Sequence, residues 1–286
     1  MPELPEVQTT VDGINRTAKG RTIVGVTTTY NSLYYKGKDD IKNPEFFKKF
    51  KKRVVGQKIL KAERRAKNIL IHLASGDTIL THMKMTGYFF YNPPKEAQFI
   101  RLVFSLDNGK VLALSDMRRF AKVTLEKTDQ IHDSIHLKGL GPEPLGKNFQ
   151  FKIFNLQLHK RSKGKIKQVL MDPYIIAGIG NIYSDEILWR ASIHPLSIVE
   201  KIPEKNLKLA FTAMKEVLKK GIDFGGDSMS DYRNIDGKRG QFQDHHRAYH
   251  KHKTKCMKRG CAGVLEKTSI GGRTAHFCPV HQKLFK

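Results

Sequence analysis

Apolar positions follow a helical spacing at the start of the chain and alternate with polar positions after it. Val7, Val11 and Ile14 fall on one face of a helix, which predicts a helix over residues 5–17. Short alternating segments separated by turn residues follow, and closely spaced strands of this kind predict a β-sandwich or barrel. The clearest of these segments are 21–30, 69–71, 78–80, 88–90, 100–104 and 111–114.

Helical spacing dominates the second half of the chain. The predicted helices are 147–160, 166–172, 182–190 and 204–221, and a short basic helix is predicted at 44–50. Residues 139–144, Gly-Leu-Gly-Pro-Glu-Pro, have the composition of a linker. A loop rich in glycine and charge, 225–243, leads into a basic tail. The pattern therefore predicts a strand-rich part, a helical part and a short tail.

The charge balance indicates a partner that is a polyanion. The 286 residues include 52 Lys and Arg against 27 Asp and Glu, a net charge of +25. Ribosomal and membrane-surface proteins share this excess, so charge alone does not select DNA. No apolar run approaches the ~20 residues that span a bilayer. No basic-then-apolar leader is seen either, so a cytoplasmic protein without membrane association is expected.

All three cysteines lie in the tail, at Cys256, Cys261 and Cys278. An odd number confined to one short segment favours metal ligation over disulfides. Cys256-x4-Cys261 and Cys278-x2-His281 form two close pairs on either side of a glycine-bearing hairpin, which predicts one structural Zn²⁺ site. His276 and His252 are competing candidates for the fourth ligand. The Gly271-Gly272 turn between the pairs would project Arg273 outward.

The first six residues, Met1-Pro2-Glu3-Leu4-Pro5-Glu6, combine an amine with two carboxyl groups. Removal of Met1 is expected and would leave the secondary amine of Pro2, and an α-amino group titrates near pH ~8. Such an amine forms Schiff bases, and Glu3 or Glu6 can supply or accept the proton. An ordinary helix start, with proline in the first turn and an acid near the dipole, explains the same residues.

Gly178 and Gly180 precede a predicted helix, where backbone N–H groups can bind a phosphate and Asn181 can add a donor. Met85 and Phe120 can enter a base stack as wedges, with Arg118 reaching an orphaned base. Each feature has an ordinary alternative. Glycine before a helix is common, and methionine and phenylalanine are more often core residues. Lys67 would ordinarily be a solvated lysine.

Seven segments, taken in order, resemble the formamidopyrimidine-DNA glycosylase family of bacterial repair enzymes. They are residues 2–7, Arg64-Arg65-Ala66-Lys67, 82–87, 116–120, 141–145, 178–186, and the cysteine tail with Gly272-Arg273. The resemblance runs the length of the chain. It implies an α+β multidomain fold: an N-terminal β-sandwich domain with a leading helix (1–132), a helix-two-turn-helix domain (133–245) and a C-terminal zinc-finger hairpin (246–286), with DNA in the cleft between the halves.

The resemblance also implies a reaction and a role for each site residue. The enzyme would be a bifunctional DNA glycosylase and lyase that removes 8-oxoguanine and formamidopyrimidines through a Schiff base and β,δ-elimination. It would act as a monomer on duplex DNA with oxidised bases or abasic sites. Pro2 would be the nucleophile at C1′, Glu3 the general acid, and Lys67 a phosphate ligand that assists elimination. Met85, Arg118 and Phe120 would form the wedge, while Asn181 and Arg273 would bind phosphates, Arg273 also lying near the second elimination. Glu6 would be part of the lesion pocket, and Lys238 part of a flexible lid over 233–242.

Three sites depart from the family pattern, and the spacing of the cysteines with His281 as fourth ligand is also atypical. Ala97-Gln98-Phe99 replaces a His-Asp-His stretch, Met117 replaces a proline, and Ser162 replaces a basic phosphate ligand, for which Arg161 and Lys163 are the candidate substitutes. Two other functions compete: an endonuclease VIII-type enzyme for oxidised pyrimidines, and a non-catalytic zinc protein that binds damaged DNA. The start of the chain and the 116–120 motif favour the purine enzyme, and a pure binder needs neither Pro2 nor Glu3.

Overall fold

The computed structural model describes residues 1–286 and contains two compact units. The first unit is Met1–Lys138 with Phe224–Gln241, and the second is Gly139–Asp223 with Phe242–Lys286. The boundaries expected at 132/133 and 245/246 stay a prediction. The structure adds that the 224–241 segment packs with the N-terminal unit. None of the helices is both long enough and apolar enough to span a bilayer.

The two helices of the first unit begin at residues that satisfy their free N–H groups. α1 (Leu4–Thr17) starts after Glu3, which forms a capping box with Glu6, and a proline lies in its first turn. α2 (Pro44–Val54) starts after Asn43, whose side chain accepts a hydrogen bond from the Glu45 N–H at 3.1 Å. α2 extends beyond the predicted 44–50 because buried Phe50 and Val54 continue its apolar face.

The predicted β-sandwich is confirmed, with two four-stranded sheets in which all pairs are antiparallel. The first sheet has the order β1-β6-β7-β5 and the second β2-β3-β4-β8. The strands are β1 (Ile23–Thr28), β2 (Ile59–Arg65), β3 (Asn68–Leu73), β4 (Asp77–His82), β5 (Gly87–Tyr91), β6 (Ile100–Leu106), β7 (Val111–Asp116) and β8 (Lys122–Lys127). β2 and β8 were not among the clearest predicted segments; in β2 only Ile59 and Ala62 are buried, so alternation is weak.

One apolar core joins both sheets and both helices of this unit, and it includes a residue from the 224–241 segment. Ile235 is only 1% exposed in this core. It approaches α1 at Gly13, where an added Cβ would lie 2.5 Å from the Ile235 Cγ2 atom. The Tyr91 N–H donates to the Ile235 carbonyl at 2.8 Å. The predicted lid, residues 233–242, is therefore anchored near its start, at Ile235.

The second unit contains the four predicted helices and a β-hairpin. They are α3 (Phe151–His159), α4 (Ile166–Met171), α5 (Asn181–Ala191), α6 (Glu204–Asp223), β9 (Glu266–Ile270) and β10 (Arg273–Phe277). Buried Glu186 in α5 accepts hydrogen bonds from three successive backbone N–H groups, those of residues 247–249, and so fastens the start of the tail to this helix.

The Gly-Pro segment at 139–144 is irregular, but it is not a free linker. The Gly141 N–H donates to the Pro173 carbonyl at 2.8 Å, and the Ala177 N–H donates to the Pro142 carbonyl at 3.1 Å. A Cβ at position 141 would lie 2.6 Å from the Ile175 carbonyl group. The segment begins where the first unit gives way to the second, as a linker would, and glycine at position 141 permits its close backbone packing.

Candidate catalytic site and metal centre

The candidate nucleophile and acid lie at the buried start of α1. Pro2 and Glu3 are both buried, Glu3 being 3% exposed. The Glu3 N–H donates to Glu6 Oε2 at 2.7 Å, and the Asp227 N–H donates to Glu6 Oε1 at 2.7 Å. The two Glu6 oxygens thus hold the N-terminal turn and the 224–241 segment together. This position was expected to line a lesion pocket, and the bridging contact was not foreseen.

A tyrosine and a glycine complete this junction. The Tyr232 hydroxyl donates to the Glu6 carbonyl at 3.0 Å, and burial raises the pKa of Tyr232, so the hydroxyl stays protonated and remains a donor. Gly226 has φ +85°, and an added Cβ would lie 3.0 Å from Glu6 Oε1. Position 226 therefore needs glycine for both its conformation and its space.

Lys67 lies in the tight turn between β2 and β3. Ala66 occupies the left-handed region with φ +55°, and Arg64 Nη1 donates to the Ala66 carbonyl at 3.1 Å. Arg64 Nε in turn donates to Gln8 Oε1 of α1 at 3.0 Å, so this turn is attached to the helix that follows the candidate nucleophile. His82 lies near this lysine: burial, with the Lys84 and Lys67 charges, lowers the pKa of His82 to about 3.

The three candidate wedge residues lie on two neighbouring turns. Met85 is half-buried between β4 and β5, while Arg118 and Phe120 are exposed between β7 and β8. The Arg118 guanidinium carbon lies 4.5 Å from the centre of the Phe120 ring, which is 49% exposed. This exposure excludes the ordinary alternative for Phe120, which was a place in the apolar core. Asp116 contacts both turns through side-chain hydrogen bonds.

A small cavity of about 130 Å³ lies beside the first wedge turn. Its walls include the predicted lid residue Arg233 and the nearby Asp231, together with Thr86 next to Met85. The remaining walls are Tyr88, Phe99, Ser115 and Met117. Phe99 and Met117 are two of the positions that depart from the family pattern. Lys238, by contrast, is exposed, and its N–H donates to Asn234 Oδ1 at 2.9 Å within the lid.

The candidate phosphate ligands of the second unit lie at turns and element ends. Asn181 is the first residue of α5 after Gly180, and its Oδ1 atom is buried without a hydrogen bond. Arg161 and Lys163 are exposed, with Arg161 Nε 3.8 Å from Asp172 Oδ2. Arg273 is exposed at the end of the β9–β10 hairpin, whose two turn glycines both have positive φ.

A fully buried ion network joins α4, α5 and the hairpin. The Lys167 ammonium group donates to Asp185 Oδ1 and lies 3.4 Å from the Asn181 carbonyl. Asp185 Oδ2 accepts from the His276 N–H at 2.9 Å and lies 3.0 Å from its Nδ1. Sequence reasoning missed this network because lysine and aspartate in a helix are ordinarily solvated. His276 therefore contacts Asp185 and is not part of the cysteine cluster.

Cys256, Cys261, Cys278 and His281 form the candidate metal centre, with ligand atoms all within 4.8 Å of one another. Cys256 Sγ lies 3.3 Å from His281 Nδ1, and Cys261 Sγ lies 3.6 Å from Cys278 Sγ. These spacings suit the edges of a tetrahedron around an ion with bonds of about 2.0–2.3 Å. His281 Nε2 lies 3.0 Å from the Trp189 carbonyl, so Nδ1 is the ring nitrogen that faces the three cysteines and would bind a metal.

Comparison with known proteins matches both halves of the chain to one family. The Formamidopyrimidine-DNA glycosylase N-terminal domain matches residues 1–123, and the H2TH domain of the same glycosylase matches residues 140–233. The Formamidopyrimidine-DNA glycosylase of Pelotomaculum thermopropionicum is 33% identical over 99% of this chain and 100% of its own length. This chain belongs to the formamidopyrimidine-DNA glycosylase family. It is accordingly a DNA glycosylase of DNA repair.

Solved structures of the family agree with the fold. A variant of the Lactococcus lactis FPG in complex with DNA containing Fapy-dG has a TM-score of 0.86 and 31% identity, covering 99% of this chain and 100% of the other. The Lactococcus lactis enzyme in complex with DNA containing an abasic site also has a TM-score of 0.86 and 31% identity, covering 98% and 99% of the two chains. The α+β multidomain fold expected from the resemblance is confirmed.

Proposed function

We propose that this protein removes oxidised purines from duplex DNA and then cleaves the strand at the resulting abasic site. The observation that carries the proposal is the buried Pro2–Glu3 start of α1, held by Glu6 in a domain that matches the glycosylase family. The relatives crystallised with Fapy-dG DNA and abasic-site DNA support this substrate class.

The first step requires the amine of Pro2, freed by removal of Met1. This amine attacks C1′ of the lesion nucleotide, and the bond from C1′ to the base breaks. Glu3 donates a proton to the ring oxygen O4′, which opens the sugar and leaves an iminium ion joining Pro2 to C1′. The proton that the Pro2 nitrogen loses before the iminium ion forms balances the proton that the departing base takes up.

The iminium ion makes the C2′ protons acidic, and this drives strand cleavage. Removal of a C2′ proton breaks the bond from C3′ to its oxygen, and the 3′ phosphate leaves with the electron pair. A second elimination releases the 5′ phosphate in the same way. Lys67 and Arg273 are assigned to the phosphates, where a cation stabilises the negative charge of the leaving group.

Extrusion of the base is assigned to the two turns that carry Met85, Arg118 and Phe120. Unstacking a base costs a few kcal/mol, which apolar wedges and a cation over the gap offset. Thr86, Asp231 and Arg233 line a cavity in the same unit, and we assign this cavity as space for the base that leaves the stack. Asn181, Arg161 and Lys163 are assigned to phosphates of the backbone.

Zinc is the metal that best fits three thiols and an imidazole in a closed tetrahedral set. Cys256, Cys261, Cys278 and His281 would hold it, and bound zinc would supply a structural crosslink and no reaction chemistry. Its role is to hold the short hairpin that carries Arg273, which has little apolar core of its own.

Borohydride trapping tests the proposal. The protein is incubated with duplexes containing formamidopyrimidine, 8-oxoguanine, an oxidised pyrimidine or an abasic site, and the imine is reduced to a stable adduct. Peptide mapping is expected to place the adduct on Pro2, with excision fastest for the purine lesions. An adduct on Lys67 would overturn the assigned nucleophile. Fastest excision of the oxidised pyrimidine would favour the endonuclease VIII-type function, and binding without excision or adduct would favour the non-catalytic function.

A further inference from the structure

Asp116, the last residue of β7, has a fully buried side chain that accepts three hydrogen bonds. Oδ1 accepts from Thr86 Oγ1 at 2.8 Å, while Oδ2 accepts from the Tyr30 hydroxyl at 2.8 Å and from the Ala121 N–H at 2.7 Å. Thr86 Oγ1 also accepts from the Arg118 N–H at 3.1 Å. These bonds reach both turns to which the wedge is assigned.

Each wedge turn contains one non-glycine residue in the left-handed region. Lys84, with φ +56°, precedes Met85, and Arg119, with φ +57°, lies between Arg118 and Phe120. Such conformations are uncommon and persist where neighbouring contacts enforce them. The turn of Arg119 is closed by its N–H, which donates to the Asp116 carbonyl at 3.4 Å. The bonds around Asp116 are therefore among the contacts that hold these turns in shape, and they are the ones that reach both turns.

The chemistry of the site favours a carboxylate. Burial, with the nearby Asp116 charge, raises the pKa of Tyr30, so its hydroxyl stays protonated and donates. Three donors then converge on two acceptor oxygens, and Arg101 Nε additionally donates to the Asp116 carbonyl at 3.0 Å. An amide in the same place offers one acceptor oxygen and one NH₂ group, so at least one of the three bonds is lost or has to reverse its direction, and the connection is weakened.

We propose that Asp116 is a positioning residue that holds the two wedge turns in one fixed relation, with the hydroxyl of Thr86 as the link between them. The inference rests on the proposed function, since it assumes that these turns enter the base stack. Asp116 does not touch the DNA. It ensures that Met85 and the Arg118–Phe120 pair arrive together, so the cost of ordering them is met before the stack opens.

Thr86→Val tests the link because it keeps the side-chain shape and removes both bonds of the hydroxyl. Asp116→Asn weakens the same connection at a residue that does not line the cavity, and Thr86→Ser restores the hydroxyl. Tyr30→Phe is the matched control, since it removes one bond of the same kind to the same carboxylate but leads to neither wedge turn. For each protein, the single-turnover rate of formamidopyrimidine excision from duplex is divided by the rate of cleavage at a preformed abasic site, and the melting temperature is recorded.

Thr86→Val and Asp116→Asn are expected to lower this ratio about tenfold, which corresponds to one buried hydrogen bond. Thr86→Ser is expected to retain the parental ratio, as is Tyr30→Phe even where its melting temperature falls. A parental ratio in both Thr86→Val and Asp116→Asn overturns the inference, as does an equal fall in Tyr30→Phe, because the effect would then be general loss of packing. A parental protein that cleaves abasic sites but excises no base overturns the proposed glycosylase function, a result that no variant ratio can mimic.

Discussion

The carboxylate of Glu6 accepts the N–H of Asp227, 221 residues away in the chain: the distance from the Asp227 nitrogen to Glu6 Oε1 is 2.7 Å. Its other oxygen accepts the Glu3 N–H at the start of α1. One side chain therefore holds both the residue assigned as general acid and the 224–241 segment, which contains most of the predicted lid. A change in this segment at Asp227 reaches the N-terminal turn through a single carboxylate.

Glu6→Gln is expected to loosen the 224–241 segment at Asp227 and lower the free energy of unfolding by about 1–3 kcal/mol, because the amide leaves one of the two buried N–H groups without its acceptor. Hydrogen exchange at the Asp227 and Glu3 amides, together with urea denaturation, measures the two effects. Arg16→Ala is the control, since it removes only the exposed ion pair with Asp236, a kind of contact that contributes little. Unchanged exchange at Asp227 would show that Glu6 does not hold this part of the 224–241 segment.

Glu3→Gln is expected to slow base excision much more than cleavage at a preformed abasic site. The abasic sugar has already lost the base whose departure most needs a proton at O4′. Comparing single-turnover rates on the two substrates gives the ratio, and a Pro2→Gly variant, which keeps a weaker and less rigid amine, should slow both reactions. Equal losses of excision and abasic cleavage in Glu3→Gln would assign it to imine formation itself.

The stability of the protein is expected to fall as the pH is lowered below about 6.5, with His82 as one cause. Burial and nearby lysines lower the pKa of His82 from 6.5 to about 3, and burial lowers the pKa of His136 to about 4. Between pH 6.5 and the lowered pKa of each histidine, the unfolded chain binds a proton that the native protein does not. As the pH falls through this window, the free energy of unfolding decreases by up to about 1.4 kcal/mol per pH unit for each histidine.

His82→Asn isolates this effect, because asparagine keeps an acceptor for the Lys84 N–H, which lies 2.9 Å from His82 Nδ1, and has no such titration. Urea denaturation of parent and variant at pH 7.5, 6.5 and 5.5 (about one unit apart) should give a smaller decline in the variant. Buried carboxyl groups with raised pKa values act in the opposite direction in both proteins, so the difference between them reports His82. Parallel pH profiles would refute the assignment.

Freshly purified protein is expected to contain one zinc ion, and Cys278→Ala is expected to lose it. Chelation should then increase hydrogen exchange in β9 and β10 and weaken DNA binding, because the hairpin has too little apolar core to hold its shape. His281→Ala should behave like Cys278→Ala, whereas His252→Ala should retain the metal, since His252 was a competing ligand candidate that lies outside the cluster. Zinc retained by His281→Ala would remove His281 from the ligand set.

Local features of this protein followed from the sequence because their causes are local. The spacing of Val7, Val11 and Ile14 predicted α1, and Gly271-Gly272 predicted the β9–β10 turn, where both glycines have positive φ. The cysteine spacings predicted the cluster of three cysteines and one histidine, and the preference of thiols and imidazole for zinc indicated which metal it would bind. The order of seven motifs was enough to indicate the family. Periodicity, turn conformation and ligand spacing all act over a few residues.

The tertiary structure decided what depends on contacts between distant segments. Nothing in the pattern around Ile235 placed it in the core against Gly13, and nothing near Asp116 showed that its carboxylate serves Tyr30 and Thr86. His281 lies in the cysteine cluster, whereas His276 lies against the buried carboxylate of Asp185 and so is directed away from the candidate metal site. Such pairings have no period and no fixed spacing, since each arises only when folding excludes water from two groups that the chain itself keeps far apart.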